Sequence, residues 1–297
     1  MNKTPSRSLR GSEARLALLC LAPAVCLLAA VFLYPIVSTL LDSVSHVSAL
    51  SGRSGGPTGE NWRALLGDEN FTRGALPRTL AWTIVVVAAT LLVSMPAALL
   101  LQENFKGRRL ARVLVLLPWA VPLPVSAIVW KFIFDGQLGT LNGVLGNFGI
   151  VGPVWLAEAR TSLPVMMGVG VWASIPFTTV TLLAGLQGIG ADVLEAAALD
   201  GATGWRRFRA IILPLLRPVL NVAIVLNTIY VFNSFPIIWV LTQGGPASST
   251  DTLITYLYKQ AFKFSQPGQA QAMGVVSFVI LLFCSALYLR VAERESA

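Results

Sequence analysis

Charged residues are scarce in this chain of 297 residues, since Lys, Arg, Asp and Glu together make up only 12% of it. Soluble domains usually carry about 25%. Hydrophobic residues make up 55%, and the mean hydropathy is +0.70. A soluble chain of this length could not bury so much apolar surface and still cover itself with charge. The scarcity of charge therefore excludes an ordinary soluble domain, the apolar content excludes a disordered chain, and a membrane protein is predicted.

The residue patterns of common catalytic and metal sites are missing as well. The sequence contains no Gly-Lys dipeptide, which excludes the phosphate-binding loop of P-loop nucleotide hydrolases. Its single histidine, His46, excludes an HExxH motif and any histidine-rich metal site. We therefore predict that the chain is not an enzyme and has no catalytic residue, no metal site and no cofactor of its own.

Six uncharged runs show how the chain crosses a membrane. They cover residues 16–41, 79–102, 113–130, 161–191, 218–250 and 264–289. A hydrocarbon core about 30 Å thick needs about 20 helical residues, so each run predicts one crossing. The predicted helices cover 17–41, 79–102, 112–134, 163–188, 218–241 and 268–290. The predicted fold is all-α and polytopic, with an N-terminal tail at 1–15, a transmembrane domain at 16–290 and a C-terminal tail at 291–297.

The basic residues predict the orientation. The N-terminal tail, the 103–112 and 192–217 loops and the C-terminal end from Arg290 onward together hold 14 of the 22 Lys and Arg residues. Cytoplasmic loops carry the excess of Lys and Arg, so both termini and the 192–217 loop are predicted to be cytoplasmic. This asymmetry accounts for the net charge of +8, and we predict a lipid bilayer rather than a nucleic acid as its partner.

The 192–217 loop is predicted to contain two short helices. Asp192 suits the N-cap of the first helix, and Glu195 three residues later would complete a capping box. The next residues, Ala196 and Ala197, have small side chains that allow another surface to approach the backbone. Gly201 can adopt the left-handed conformation that ends such a helix.

The second helix is predicted to begin after a cap at Thr203 and to stop before Pro214. Trp205, Phe208 and Ile212 fall at helical spacing and would form one apolar stripe. From these residues alone two interpretations stay open. The loop is either a knob that protrudes into the cytoplasm or a connector that lies on the membrane surface with its arginines on lipid phosphates.

The pattern Glu195-Ala-Ala-x-x-Asp200-Gly201-Ala202, followed by Phe208 and Leu213-Pro214, resembles the EAA loop of ABC importer permeases. It is most similar to their carbohydrate group, which includes maltose and glycerol-3-phosphate permeases. Shorter matches extend from about residue 16 to 290: Gly59-Glu-Asn61-Trp62, Leu138-Gly139-x-Leu141-Asn142, Thr242-Gln-Gly244-Gly245-Pro246 and Gly268-x-Ala270. Two departures are Gly190-Ala191, where the family commonly has a proline, and Gln243, where it often has a glycine.

This resemblance implies a type I ABC importer permease in a bacterial inner membrane, whose EAA loop sits in a cleft of a cytoplasmic ATPase. The implied partners are two ABC ATPase subunits, which use ATP and Mg²⁺, a second related permease and an extracytoplasmic solute-binding protein. The implied coupling residues are Glu195, Ala196, Ala197, Asp200, Gly201, Ala202, Trp205 and Phe208. For Glu195, a capping role alone is the alternative.

A substrate path is predicted along the fifth span. Asn227, Tyr230, Asn233 and Ser234 fall at three- and four-residue steps and would form a polar stripe suited to a neutral polyol, while Trp172 or Trp239 could stack on a sugar ring. The alternative is hydrogen bonding between helices, which polar side chains in membrane bundles commonly make. A stand-alone secondary transporter is the alternative function, although such carriers commonly bury an ionisable residue, and none lies near the centre of a predicted span.

Overall fold

The computed structural model describes residues 7–48 and 52–296, and these residues are mostly helical. The first half contains α1 (Arg7–Leu28), α2 (Tyr34–Ser43), α3 (Glu60–Gly67), α4 (Leu76–Gln102), α5 (Arg108–Ala120), α6 (Leu123–Ile133) and α7 (Thr140–Asn147). The second half contains α8 (Ala159–Gln187), α9 (Ala191–Leu199), α10 (Gly204–Arg207), α11 (Leu213–Phe232), α12 (Phe235–Leu241), α13 (Leu253–Tyr258) and α14 (Pro267–Ser296).

Two further kinds of element occur among residues 7–48 and 52–296. Four π-helical segments lie next to these helices: Ala29–Leu33, Asn70–Ala75, Phe208–Ile212 and Lys259–Lys263. The strands β1 (Ser45–Ser48) and β2 (Gly52–Pro57) form an antiparallel hairpin, with Ser48 opposite Gly52. The described residues fall into two compact units, one made of the chain up to Leu65 with Gln260–Val276, the other of Leu66–Lys259 with the chain from Ser277 onward.

Five helical segments in the described part of the chain are long and apolar enough to cross a membrane. They are Ala14–Ser43, Asn70–Gln102, Ala159–Gln187, Gly204–Leu241 and Pro267–Tyr288. They overlap the predicted first, second, fourth, fifth and sixth spans. The prediction of an all-α polytopic fold is confirmed, with up to six crossings if a bent pair of helices forms the remaining one.

The third span is not the single helix that was predicted over 112–134. It consists of α5 and α6, which meet at an angle of 98°. Val121 between them is extended, with φ −110° and ψ 132°. A residue before a proline is driven out of the helical region by the proline ring, and Pro122 also lacks the N–H that would continue the helix. The prediction counted hydrophobic residues and overlooked this effect.

In the first unit, Asn61 ties the end of α2 to the hairpin. Its side-chain amide donates hydrogen bonds to the carbonyls of Ser43 (3.1 Å) and Ser45 (2.9 Å). Gly268, at the start of α14, lies so close to the Asn61 amide that a Cβ there would collide with it. Two short motifs that are 207 residues apart in the sequence are therefore neighbours in this unit.

The core of the second unit lies among α4, α8 and α11. Trp82 of α4, Val169 of α8 and Val231 of α11 belong to one buried apolar cluster. Gly170 makes room for the Trp82 ring, since a Cβ there would lie 2.9 Å from it. Lipid chains are as apolar as leucine, so no hydrophobic driving force brings membrane helices together. Their association depends on close packing, which small residues such as glycine allow.

Candidate functional site

The first helix of the EAA loop ends in a tight turn built from backbone hydrogen bonds. Gly201 has φ +72°, and its N–H donates to the carbonyl of Ala198 (3.1 Å). The N–H of Ala202 donates to the carbonyl of Ala197 (2.9 Å). This pair of bonds is the Schellman motif, which satisfies the last carbonyls of a helix. The prediction that Gly201 ends the helix in the left-handed conformation is confirmed.

The predicted start of this helix is wrong. The N-cap is Gly190, with φ −57° and ψ 139° and no side-chain cap bond, so Asp192 lies inside the first turn and makes no capping box with Glu195. Glycine is an acceptable N-cap residue, and a carboxylate in the first turn is still favoured by the helix dipole. Because Glu195 takes no part in capping and is exposed, its side chain is available to another surface.

Burial divides the turn into an inner and an outer face. Ala197 and Ala202 are buried, whereas Ala196, Asp200 and Gly201 are exposed. The prediction that Ala197 belongs to the surface that another protein approaches is corrected, because the hydrophobic pair of a Schellman motif packs inside the turn. Sequence reasoning missed Leu199, which is 90% exposed. Its position as the last helical residue, opposite the inward pair, was the signal.

The second helix does not stop before Pro214, as was predicted. It begins at Gly204, after an extended Thr203 that makes no side-chain cap bond, and passes through Phe208–Ile212 directly into α11. The N–H of Leu213 bonds the carbonyl of Phe208, five residues back. At this point the N–H to C=O spacing changes from five residues in the π-helix to four in the α-helix. Some backbone groups there lack an α-helical hydrogen-bond partner, so Pro214, which has no N–H, can follow without ending the helix.

The predicted apolar stripe of this helix runs from exposed to buried. Trp205 is 72% exposed, Phe208 is half-buried and Ile212 is buried. The rings of Trp205 and Phe208 are 5.2 Å apart. The stripe therefore anchors the helix at one end and presents an aromatic ring at the other.

The base of the EAA loop is attached to the ends of α4 and α8. Leu194, Phe208 and Ile212 pack in one apolar cluster with Ala98 of α4 and Leu182 of α8. Polar contacts surround this cluster: Gln102 Nε2 donates to the carbonyl of Leu186 (3.3 Å), and Arg207 lies 4.0 Å from Glu103. A displacement of the exposed turn must therefore move the helix ends as well, because packed apolar groups resist separation.

The fifth span is interrupted at the end of α11, which splits the predicted polar stripe. Tyr230 and Asn233 are exposed, and Asn233 donates to the carbonyl of Ile229 (2.8 Å). Asn227 and Ser234 are buried, and within the described structure Asn227 Nδ2 and Ser234 Oγ have no hydrogen-bond partner. Because helical geometry stops at Phe232, Ser234 no longer shares a face with Tyr230.

Trp82 supports the interruption from α4. Its ring Nε1–H donates to the carbonyl of Val231 at 2.9 Å. The last carbonyls of a helix lack partners within that helix, and inside a membrane such a group is costly to leave unpaired. The indole therefore stabilises the end of α11 at this position.

The two predicted stacking residues lie in different aromatic clusters. Trp172 packs edge-on against Trp130 (5.5 Å), which in turn stacks on Phe134 (5.4 Å). Trp239 stacks on Phe235 (5.2 Å) and also packs against Tyr258 (4.7 Å). The structure therefore offers two aromatic surfaces rather than one pair of rings.

A buried ion pair that sequence reasoning missed holds the turn after α12. Asp251 is buried, and its Oδ2 lies 2.6 Å from Lys259 Nζ. Gly244, with φ +85°, lies directly against this pair, and a Cβ there would collide with the carboxylate. Arg78 of α4 donates to the carbonyls of Ser248 and Asp251. The glycine was the only signal, since Asp251 and Lys259 themselves read as ordinary loop charges just outside a span.

Within the described residues, no three His, Cys, Asp or Glu side chains gather where they could hold a metal ion.

Comparisons with known proteins agree over most of the chain. Residues 78–296 match the family described as "Binding-protein-dependent transport system inner membrane component". A probable ABC transporter permease protein of Brucella suis is 44% identical over 92% of this chain and 95% of its own length. The trehalose/maltose transport system permease protein MalF of Thermococcus litoralis is 33% identical over 99% of both chains.

A solved structure has the same fold. The crystal structure of a bacterial ABC transporter involved in the import of the acidic polysaccharide alginate contains a chain that matches with a TM-score of 0.84. The identity is 21%, and the match covers 97% of this chain and 99% of the other.

Proposed function

This chain belongs to the family of binding-protein-dependent transport system inner membrane components, and from that premise we propose that it carries a sugar or sugar-like polyol across a bacterial inner membrane. Family membership makes it a permease subunit rather than an enzyme. The relative named for trehalose and maltose supports a sugar as the solute. Nothing in the family match favours a stand-alone secondary transporter.

The exposed turn of the EAA loop is the observation that carries the coupling role. A surface formed by Glu195, Ala196, Leu199, Asp200 and Trp205 inserts into a cleft of a cytoplasmic ATPase. The Schellman motif at Gly201 holds this surface in shape without using its side chains, so they stay available for the partner. Two ATPase subunits use ATP and Mg²⁺, one on this chain and one on a second related permease, while this chain binds no cofactor.

Movement of the EAA loop reaches the membrane through a continuous helix. Gly204 to Phe232 forms one uninterrupted helical path through a π-helical segment, and its far end is the interruption at Asn233. When ATP draws the two ATPase subunits together, this helix moves as a lever. The access of the pathway then changes from one side of the membrane to the other.

The interruption at Asn233 belongs to the solute pathway. Non-helical backbone at membrane depth is tolerated where it lines a cavity or is buried in protein. Exposed Tyr230 and Asn233 offer a hydroxyl and an amide to a polyol, and the buried Asn227 and Ser234 have polar atoms that lack partners. Trp172 and Trp239, each within an aromatic cluster, provide surfaces on which a sugar ring can stack. An extracytoplasmic binding protein delivers the solute.

The orientation proposed for this mechanism places the EAA loop and both termini in the cytoplasm. Residues 1–6 and 297 lie outside the described part of the chain, so the positive-inside bias carries this point. A reporter that is active only outside the cytoplasm, fused after Ala297, is expected to be silent. Strong activity of that fusion would contradict the orientation.

The direct test is reconstitution in liposomes. The chain, its second permease and the ATPase are purified as one complex and supplied with the binding protein. Sugar uptake should require ATP on the ATPase side, and the loaded binding protein should stimulate ATP hydrolysis. Uptake by this chain alone, driven by an ion gradient, would contradict the proposal.

The solute pathway is tested by Asn233→Leu, with Asn227→Leu as its buried counterpart. Asn233→Leu should lower uptake much more than it lowers the yield of assembled complex. Equal loss of uptake and yield would assign Asn233 to helix packing instead.

A further inference from the structure

The segment between α6 and α8 exposes apolar side chains and carries no charge. Between Asp135 and Glu158, 22 consecutive residues include no Asp, Glu, Lys or Arg. Within this stretch Leu138 is 93% exposed, Phe148 77% and Val151 97%. We call residues 136–157 the uncharged segment. Exposed apolar patches on proteins mark a site for another protein or for a membrane.

Hydrogen bonds hold the uncharged segment folded upon itself. Asn142 Nδ2 donates to the carbonyls of Gly136 (2.9 Å) and Pro153 (3.2 Å), and its Oδ1 accepts from Trp155 Nε1 (2.7 Å). Gly152 fits against Asn142 so closely that a Cβ there would collide with the amide. The two ends of the segment are therefore clamped together by one side chain.

The clamp lies next to the membrane-spanning helices. The ring of Trp155 packs 6.4 Å from the ring of Phe134, the residue that follows α6. Gly136 is only three residues beyond Ile133, the last residue of α6. The segment consequently cannot extend far from the place where α6 ends, and its apolar side chains remain close to that end of the helix.

The carboxylate of Asp135, just before the uncharged segment, is exposed and charged. Asp135 Oδ1 accepts hydrogen bonds from the backbone N–H groups of Gln137 (3.0 Å) and Leu138 (2.8 Å). These bonds, with Leu138 contributing most, lower the pKa of Asp135, because they favour the charged carboxylate. An exposed carboxylate that stays ionised lies in water or among lipid headgroups, never in hydrocarbon. The exposed Leu138 therefore lies within three residues of a group that must stay in water or among headgroups.

We propose that the uncharged segment lies in the interface of the lipid bilayer, with Leu138, Phe148 and Val151 inserted between headgroups and upper acyl chains. The exposed apolar side chains of α6, Val129 and Phe132 among them, continue into this segment along the chain. In the proposed orientation this is the outer leaflet, and Trp155 occupies the depth at which tryptophan is enriched in membrane proteins.

The absence of charge favours lipid over a soluble partner. Interfaces that form and dissociate are about as apolar as the rest of a protein surface and have a polar, charged rim. An interfacial segment buries apolar side chains between headgroups and acyl chains, and backbone polar groups that leave water with it are costly unless they are hydrogen-bonded. Asn142 and Trp155 satisfy much of that polarity internally. The inference does not rest on which solute is transported.

The test places an environment-sensitive fluorophore on the uncharged segment of the assembled transporter in liposomes. Cys20, Cys26 and Cys284 are replaced by serine or alanine, and Val151→Cys is labelled with an NBD group. Phe132→Cys on α6 serves as the lipid-facing reference and Arg63→Cys on α3 as the water-facing reference. Nitroxide lipids labelled near the headgroup should quench the probe at Val151 about as strongly as at Phe132 and several-fold more than at Arg63.

Three results would overturn the proposal. Quenching at Val151 that is as weak as at Arg63 would place the segment in water. A probe that is shielded only when the binding protein is added would make this a surface for that protein. A probe that is quenched in the chain alone but protected once the second permease is present would make it a contact between permeases. As a separate readout, Val151→Ser with Phe148→Ser should weaken quenching at a Leu138→Cys probe without lowering basal ATP hydrolysis.

Discussion

The two turns that flank the fifth membrane-crossing segment, Gly204–Leu241, hold their shapes by different means. The turn at 199–204 relies on Gly201 and two backbone hydrogen bonds, and its side chains are largely exposed. The turn at 242–252 places Gln243, Ala247 and Ser248 in the left-handed region as well as Gly244. It is held by buried polar groups, including Asp251 with Lys259.

This difference separates a turn that presents its side chains from one that uses them. Non-glycine residues with positive φ are strained, and they persist only where the surroundings over-determine the conformation. Gln243 is such a residue, and the hydrogen bond between the Thr242 and Thr250 hydroxyls (2.7 Å) helps to close its turn. In the EAA loop, local backbone bonds are enough, so Leu199 and Trp205 remain available to a partner.

The largest effect is expected from Asp251→Ala. It leaves the Lys259 ammonium, whose side chain is only 13% exposed, without its carboxylate, and breaking a buried ion pair from one side costs about 3–5 kcal/mol. Denaturant titration of the detergent-solubilised chain should show this loss in the free energy of unfolding. Asp251→Leu combined with Lys259→Met removes both charges and should recover much of it. A single variant as stable as the wild type would show that the ion pair does not hold the turn.

A smaller loss is expected from Gly201→Val. At φ +72° a β-branched residue is strained by about 1–3 kcal/mol, which shifts or opens the turn. Membrane insertion should be unchanged because Gly201 lies outside the membrane-crossing segments, while stimulation of ATP hydrolysis by the loaded binding protein should be lost. Gly201→Asn is the matched control, since asparagine tolerates this conformation, and it should retain part of the stimulation. Wild-type stimulation in the valine variant would contradict the role of the glycine.

A minor loss is expected from Glu103→Gln. Glu103 and Arg207 lie 4.0 Å apart and are both partly exposed, and such pairs contribute about 0–1 kcal/mol. The variant should therefore unfold within about 1 kcal/mol of the wild type, and raising the salt concentration should remove the difference. A much larger loss would mean that the base of the EAA loop depends on charge rather than on its apolar cluster.

No change in stability is expected from Leu199→Ser, which makes it the sharpest test of the comparison. The side chain is 90% exposed, and surface substitutions usually alter stability by no more than about 0.5 kcal/mol. If the EAA turn presents its side chains to an ATPase, the variant should nevertheless reduce the amount of ATPase that co-purifies with the chain. Ala247→Ser, at the exposed tip of the other turn, is the control and should leave co-purification unchanged. Equal co-purification for both variants would remove Leu199 from the contact surface.

Sequence reasoning succeeded where the deciding interaction is local. Gly201 could be placed because the left-handed end of a helix favours glycine. The helix start was wrongly placed at Asp192 because Gly190, two residues earlier, can also act as an N-cap. The break at Pro122 could have been predicted from the sequence, since the residue before a proline avoids the helical region. The extent of the second EAA helix could not have been predicted, because its passage through Pro214 depends on a π-helical segment whose formation no single residue indicates.

Sequence alone determined the membrane class, five of the spans and the Gly201 turn. Hydropathy and backbone conformational preference belong to a residue and its nearest neighbours, so they can be read along the chain. Tertiary structure decided the pairing of Asn61 with Gly268, the bond from Trp82 to the end of α11 and the clamp of Arg78 on the turn at Asp251. Each of these joins residues more than 140 positions apart. A side chain's hydrogen-bonding capacity is visible in the sequence, but which carbonyl or carboxylate it meets depends on how the helices pack.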